Sequence, residues 1–365
     1  MPHPPEPASL LPLQGVRILD LTQLLPGPAA TLLLAQMGAT VVKVEPPTGD
    51  PARFMGGARQ RTSQAFVALQ RGKQVVTLDL KQDAGRRQLL DMAGSADALL
   101  EGFRPGVMQR LGLGWETLHR HNPRLVMCSI TGYGQQGPYA DRAGHDVNYL
   151  GYAGALDQMA GRDGRPALSG LPVADMLGGA QTAAMGVLAA LLAGRQTGKG
   201  SHVDVSMTAA VFAANILAAA SANLDEPPPA AGNGLLTGGA PCYNTYRTAD
   251  GRFMAVGALE HHFWKRVCRV LGRDDLADSH WQKGQAPGST AARALRDELQ
   301  QIFGGKTQAQ WVAEFEKSDC CVTPVLDMAE AMSHPMFTQA GMVQDCDDPI
   351  EGRSRFPAAA LRFRP

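Results

Sequence analysis

The stretch richest in reactive groups runs from Arg124 to Leu150 and contains Gly144-His145-Asp146. Histidine changes charge near neutrality, so it can take a proton in one step and return it in another. A carboxylate can do the same when desolvation raises its pKa. Proton transfer at a substrate atom is the chemistry such groups offer. Other readings stand beside this one. Taken alone, His145 is a loop histidine tied into a structural hydrogen bond. Asp175 precedes a long small-residue helix and reads as its N-cap. Glu260, just before His261-His262, reads as a first-turn helix charge.

Two kinds of decoy are set aside. Gly132, Gly134 and Gly137 spell G-x-G-x-x-G after a strand, but the dinucleotide fingerprint needs a helix opening within the glycines. Pro138 follows instead. We read a phosphate-tolerant or substrate-lining loop. Gly194 to Gly200 has a lysine at the wrong spacing for a P-loop. Gly304-Gly305-Lys306-Thr307 has Gln300 where the first P-loop glycine belongs. A kinase or NTPase is disfavoured.

The elements that must position these residues alternate. Leu125 to Ile130 is an apolar run of the kind buried on both faces of a sheet. It exits into the glycine loop, and Asp146 to Leu150 fits a helix start. Strands are expected at Val16–Leu21, Thr40–Glu45, Val75–Leu80, Ala98–Glu101 and His202–Ser206. Helices are expected over 28–37, 83–93 and 107–121, with Pro28 in a first helical position. This α/β alternation predicts a doubly wound, Rossmann-like parallel sheet. Polar groups at a strand exit and a helix N-terminus are where such sheets bind ligands. After a linker at 225–234, a hairpin signal appears at 243–256 with a turn at Asp250-Gly251, and helical stretches follow. The expected division is a disordered lead at 1–14, a large domain at 15–224 and 326–365, and a small α/β domain at 235–325. The tail carries a strand-like Leu361-Arg362-Phe363.

Composition narrows the class. The 365 residues exceed one ordinary core. Hydrophobic content of 44% with 34 basic against 34 acidic residues describes a globular chain with no field for nucleic acid. The six cysteines show no zinc spacing and read as reduced thiols of a cytoplasmic protein; no metal is expected. The proline-rich N-terminus does not read as a signal peptide. The alanine-rich segments 183–193 and 205–220 read as buried helices rather than membrane spans.

The order of landmarks carries a resemblance. LDLTQLLPGP (19–28), LLAQMGATVVKVE (33–45), VVTLDLK (75–81), EGFRPGVMQRLGLG (101–114), SITGYGQQGPY (129–139) and GKGSHVDVSM (198–207) together resemble the family III coenzyme A transferases, the CaiB/BaiF superfamily. The likeness runs from Gly15 to about Pro324. It implies a Rossmann-like large domain, a small domain, two interlocked subunits and a coenzyme A thioester substrate, with no further cofactor. AGHDVNYLGYAGAL (143–156), the stretch 236–260 and SDCCVTPV (318–325) look most like the α-methylacyl-CoA racemase branch.

The racemase likeness carries His145, Asp175 and Glu260 as the acid/base set. His145 and Asp175 would serve opposite faces of the α-carbon, and Glu260 would pair with His145. The Asp146 N–H is the candidate for the enolate oxygen. Lys43, Leu80, Lys81 and Arg104 match positions that contact coenzyme A, although a lone surface charge is the plainer reading of each cation. Arg104 stands out because arginine forks onto phosphate. The transferase branch uses the Asp175 position as nucleophile and usually lacks the histidine; here Ala174 precedes Asp175 where racemases commonly show glycine. An acyl-CoA binder without activity is a third reading.

Overall fold

The structure is a computed structural model that describes residues 11–57, 61–159, 161, 164–224 and 230–363. The first ten residues of the expected lead, and 225–229 of the expected linker, lie outside it. The chain divides into two units. One holds the chain through Ala153, Ser169–Ala214 and His334 onward; the other holds Gly154–Leu168 and Asn215–Ser333. Relative to the expected division, 154–168, 215–224 and 326–333 belong with the smaller unit.

The first unit is built on six parallel strands: β1 (Arg17–Asp20), β2 (Thr40–Glu45), β3 (Gln74–Thr77), β4 (Ala98–Glu101), β5 (Val126–Thr131) and β6 (His202–Ser206). Their order is β3-β2-β1-β4-β5-β6, so the winding reverses between β1 and β4. That reversal leaves a crevice beyond the carboxyl ends of β1 and β4, where open sheets take ligands. The central strands are buried end to end, as double-faced burial requires: the whole of β5 is covered. The crossovers are α1 (Pro26–Gln36), α2 (Gln64–Gln70), α3 (Asp83–Ala93), α4 (Val107–Arg110) and α5 (Trp115–His121). Leu19, Val42, Leu99 and Met127 on one face pack with Leu89 of α3, Met108 of α4 and Leu118 of α5.

Three local expectations are corrected. Helix α1 opens at Pro26, two residues before Pro28, because Pro26 already supplies the fixed φ and missing N–H that suit a first turn. Asp175 is not an N-cap: the helix already begins at Ala174, in wide π-type turns over Ala174–Gln181, and continues as Thr182–Thr197. The alanine-rich segment therefore belongs to one 24-residue helix whose most apolar 18-residue stretch has a mean hydropathy of 1.6, long and apolar enough to cross a bilayer by length and composition. Its Ala183 and Val187 are buried in this unit, where the helix packs on β5 and β6. In the tail, the strands are Val343–Asp348 and Gly352–Pro357, an antiparallel pair; Leu361 to Phe363 joins neither.

The second unit carries a three-stranded antiparallel sheet of β7 (Tyr243–Arg247), β8 (Phe253–Gly257) and β9 (Val322–Pro324). Its core gathers Tyr246, Met254, Trp264, Leu299, Phe303 and Trp311 from this sheet and the helices His261–Val270, Thr290–Phe303 and Gln308–Phe315.

Candidate active site

In the first unit the loop leaving β5 is pinned along its length. The Gly134 N–H donates to Thr131 Oγ1 at 2.9 Å, and the Gln135 N–H to the Asp204 carboxylate at 3.0 Å. The Gly132 carbonyl accepts from Thr208 Oγ1 at 2.7 Å. The loop ends at helix α6 (Asp146–Tyr152), whose N-cap is His145 in extended backbone. The His145 N–H donates to Asn148 Oδ1 at 3.0 Å, which fixes the cap. The His145 side chain is exposed.

One turn on, the buried Tyr149 ring fills the space beside Gly132 and Gly144. A Cβ on either glycine would come within 2.7 Å of that ring. The Tyr149 hydroxyl donates to the Gly144 carbonyl. Tyr133 meets Tyr149 edge-to-face at 5.3 Å and Tyr152 at 5.8 Å, so aromatic contacts hold both ends of the loop. Burial, with Asp175 and Tyr133 adding, pushes the Tyr149 phenol up to about 12, so it remains a donor at neutral pH; Arg104 pulls the other way.

Asp175 joins this group through its backbone. Its N–H donates to Asp146 Oδ1 at 3.0 Å, tying the first turn of its helix to that of α6. The Asp175 carboxyl is half-buried. Burial first, then the Asp146 carboxylate, push it up to about 6, against the pull of His145. Like charges crowded into a partly desolvated space disfavour ionisation. The unit therefore brings His145, Asp146 and Asp175 together. The first N–H groups of α6 have no intrahelical acceptor, which leaves the Asp146 N–H open to a developing anion.

Arg104 is exposed in the turn between β4 and α4, beyond the carboxyl end of β4, and without a salt bridge among the described residues. Leu24 follows β1 with φ +65°, a left-handed conformation rare for a branched residue, held by its N–H donating to Asp50 Oδ1 at 3.1 Å. Lys81 is exposed just before α3, and Leu80 is partly buried against the sheet core. Lys43 is placed otherwise than expected. It is fully buried, its ammonium 2.9 Å from Asp50 Oδ2 and donating also to the Thr22 carbonyl. A buried ammonium needs a buried counter-charge, and Asp50 takes that place. Lys43 thus braces the loop after β1 from beneath.

The comparisons with known proteins fit this geometry. The model of CoA-transferase family III matches residues 13–365. The chain is 38% identical over 333 residues to alpha-methylacyl-CoA racemase of Homo sapiens, covering 90% of this chain and 81% of that protein. The chain belongs to CoA-transferase family III. It is also 31% identical over 357 residues to succinyl-CoA:glutarate CoA-transferase of Mus musculus, covering 97% of this chain and 81% of that one. A solved CAIB/BAIF family protein from Brucella suis superposes with a TM-score of 0.83 at 28% identity, over 97% of this chain and 93% of that one. Family III thus contains racemases and transferases, and this member is similar to both.

Glu260 lies in the second unit, exposed, as N-cap of the helix His261–Val270 and with no cap bond from its side chain. It is close enough to Cys321 and His280 for its charge to bear on both. Sequence reasoning missed two residues of the first unit and one property of a third. Tyr149 orders the loop, Glu101 is buried shortly before Arg104, and Asp146, expected through its N–H, also brings its carboxylate beside Asp175. Tyr149 had one readable signal: an aromatic residue in the first turns of the helix that follows the glycine loop.

Proposed function

We propose that this family III member is a racemase or epimerase of 2-methyl-branched acyl-CoA thioesters. The observation that carries the reading is the Asp175 carboxyl, lifted to about 6 in the same site as His145. Inverting an α-carbon needs a base on one face and an acid on the other, each able to exchange roles near neutrality. In this reading His145 or Asp175 removes the α-proton. The electron pair moves onto the thioester oxygen, and the opposite group returns a proton to the other face. The Asp146 N–H meets the developing enolate oxygen. Glu260, in the second unit, is the third acid/base residue that the racemase resemblance implies, and loss of exchange in Glu260→Gln is its test. Arg104 and Lys81, beside Leu80, meet the phosphates and nucleotide of coenzyme A. No cofactor is required beyond the coenzyme A moiety of the substrate.

The transferase relative supports a second reading. There Asp175 attacks the thioester carbon and displaces the coenzyme A thiolate, leaving a mixed anhydride; the thiolate attacks the aspartyl carbonyl, releasing the donor acid, and the resulting aspartyl-coenzyme A thioester passes the coenzyme to another carboxylic acid. One experiment separates the two. The protein is incubated in heavy water with (2S)-2-methylacyl-CoA and no acceptor acid. Deuterium entering C2 with loss of configuration, abolished by His145→Ala, is the expected result. No exchange, but transfer of coenzyme A to an added acceptor acid with release of the free 2-methyl acid, overturns the racemase reading in favour of the transferase.

A further inference from the structure

The sheet register sets three polar side chains in one row. Glu101 of β4 lies opposite Ser129 of β5, and Ser129 opposite Asp204 of β6. Residues paired across adjacent parallel strands face the same side of a sheet. Glu101 and Ser129 are buried, while Asp204 is at the exposed edge. His202, two residues earlier on the same face of β6, lies 2.9 Å from Ser129 Oγ through its Nε2.

Each end of the row holds a loop. Glu101 Oε2 accepts the Phe103 N–H at 2.8 Å, next to Arg104. The Asp204 carboxylate accepts the Gln135 N–H, in the loop that ends at His145. Between them the Ser129 hydroxyl lies beside the Glu101 carboxyl and favours its charged form. The row is not a nucleophilic triad. Its hydroxyl is in the middle and buried, out of reach of a substrate carbonyl, and the buried Glu101 carboxyl is paired across the strands with the serine rather than with the histidine. Its bonds run outward, to loop backbone.

We propose that Glu101 and Asp204 are positioning residues, which set the Arg104 loop and the loop before His145 from one rigid row centred on Ser129. The proposal rests on the reading of Arg104 and His145 as substrate-facing groups. The energetics agree with it. Burial, reinforced by Asp204, pushes the Glu101 carboxyl up to about 7 despite the pull of Ser129 and its bond to Phe103. A carboxyl kept in so unfavourable a place at a ligand crevice has a use other than packing.

The test compares Glu101→Ala with Glu101→Gln, and Asp204→Ala with Asp204→Asn, in the full chain. Amide hydrogen exchange is followed at Phe103 and Gln135, together with binding of free coenzyme A and turnover of the acyl thioester. The alanine variants are expected to speed exchange at both loops. They should also weaken coenzyme A binding and raise KM about tenfold, with a much smaller loss in kcat. The amides keep an acceptor oxygen and should recover most of both. Unchanged exchange in the alanine variants, or amide variants that behave like alanine, overturns the proposal. If Glu101→Ala does not fold, the exposed Asp204 carries the comparison alone. Wild-type protein that binds no coenzyme A sinks the substrate reading, while the exchange arm still decides whether the row holds the loops.

Discussion

At Asp175 one burial has two opposed consequences. Its carboxyl rises from 3.8 to about 6. An acid whose native pKa lies above its unfolded value binds its proton more tightly when folded. Its contribution to stability is therefore full below about pH 4 and is lost as pH rises through about 6. Two pKa units amount to ~3 kcal/mol at most. Partial solvent access brings this to ~1–2 kcal/mol. Asp175→Asn is thus expected to be more stable than the parent by that amount at pH 8, and nearly equal at pH 4, by urea unfolding at both. The same variant should lose α-proton exchange by about a hundredfold or more. In the parent, exchange that uses Asp175 as base should fall as pH drops below about 6, read as deuterium uptake against pH. A variant less stable than the parent at pH 8 would show that the carboxylate is a structural asset instead. At this scale the sequence was half legible. His145 and Asp175 stand in motifs, whereas the desolvation and like charge that tune Asp175 come from Asp146, 29 residues away, and no local pattern records that contact.

Between elements, the closest fit in the site is Tyr149 against two glycines. Gly144→Ala would drive a methyl to 2.7 Å from the Tyr133 hydroxyl and the Tyr149 ring. Overpacking of this kind costs about 1–3 kcal/mol. Because Gly144 adjoins His145, activity should fall further than stability does, by about tenfold or more, as a misplaced proton acceptor requires. Thermal unfolding and deuterium exchange on the same sample decide it, and full activity would show that His145 is positioned elsewhere. Beneath the β1 loop, Asp50→Ala would strand the Lys43 ammonium in the interior. Leaving one member of a buried pair alone costs about 3–5 kcal/mol. Chemical unfolding should show a loss of that order, and one of similar size for Lys43→Met, which leaves the equally buried Asp50 carboxylate alone. The central strands β4 and β5 were legible because fully buried β-runs and glycine exits are local signals, whereas the mostly exposed β3 lies at Gln74–Thr77 instead of the expected Val75–Leu80. The burial of Lys43 was not, since a cation at a strand end is written the same whether it faces solvent or a buried aspartate. Nor was the wide helical turn at Ala174–Gln181, because periodicity reports a face and not the width of a turn. The polar row of Glu101, Ser129 and Asp204 depends on strand order, which brings residues 101 and 204 into one register across β5.

At the scale of the molecule, each unit by itself leaves large apolar side chains uncovered in the single chain. In the first unit Met185 and Leu192 of the helix Thr182–Thr197 and Phe212 are each more than 60% exposed; in the second, Ile216 and Leu217 are each 69% exposed. Residues of this size seldom cluster at a free surface, and such patches mark a partner or a membrane. We take the partner to be a second copy, since the family resemblance implies two interlocked subunits. Interlocking separates this from ordinary association, because linked chains cannot part without unfolding. Light scattering should give twice the chain mass at micromolar concentration. Tagged and untagged preparations mixed in native buffer should form no mixed pairs over hours, and should form them after joint unfolding and refolding. Ready exchange of subunits would retain the dimer and remove the link. A monomer that partitions onto lipid vesicles would instead assign the apolar helix 174–197 to a membrane, and with it the exposed leucines and methionine that the dimer is meant to cover.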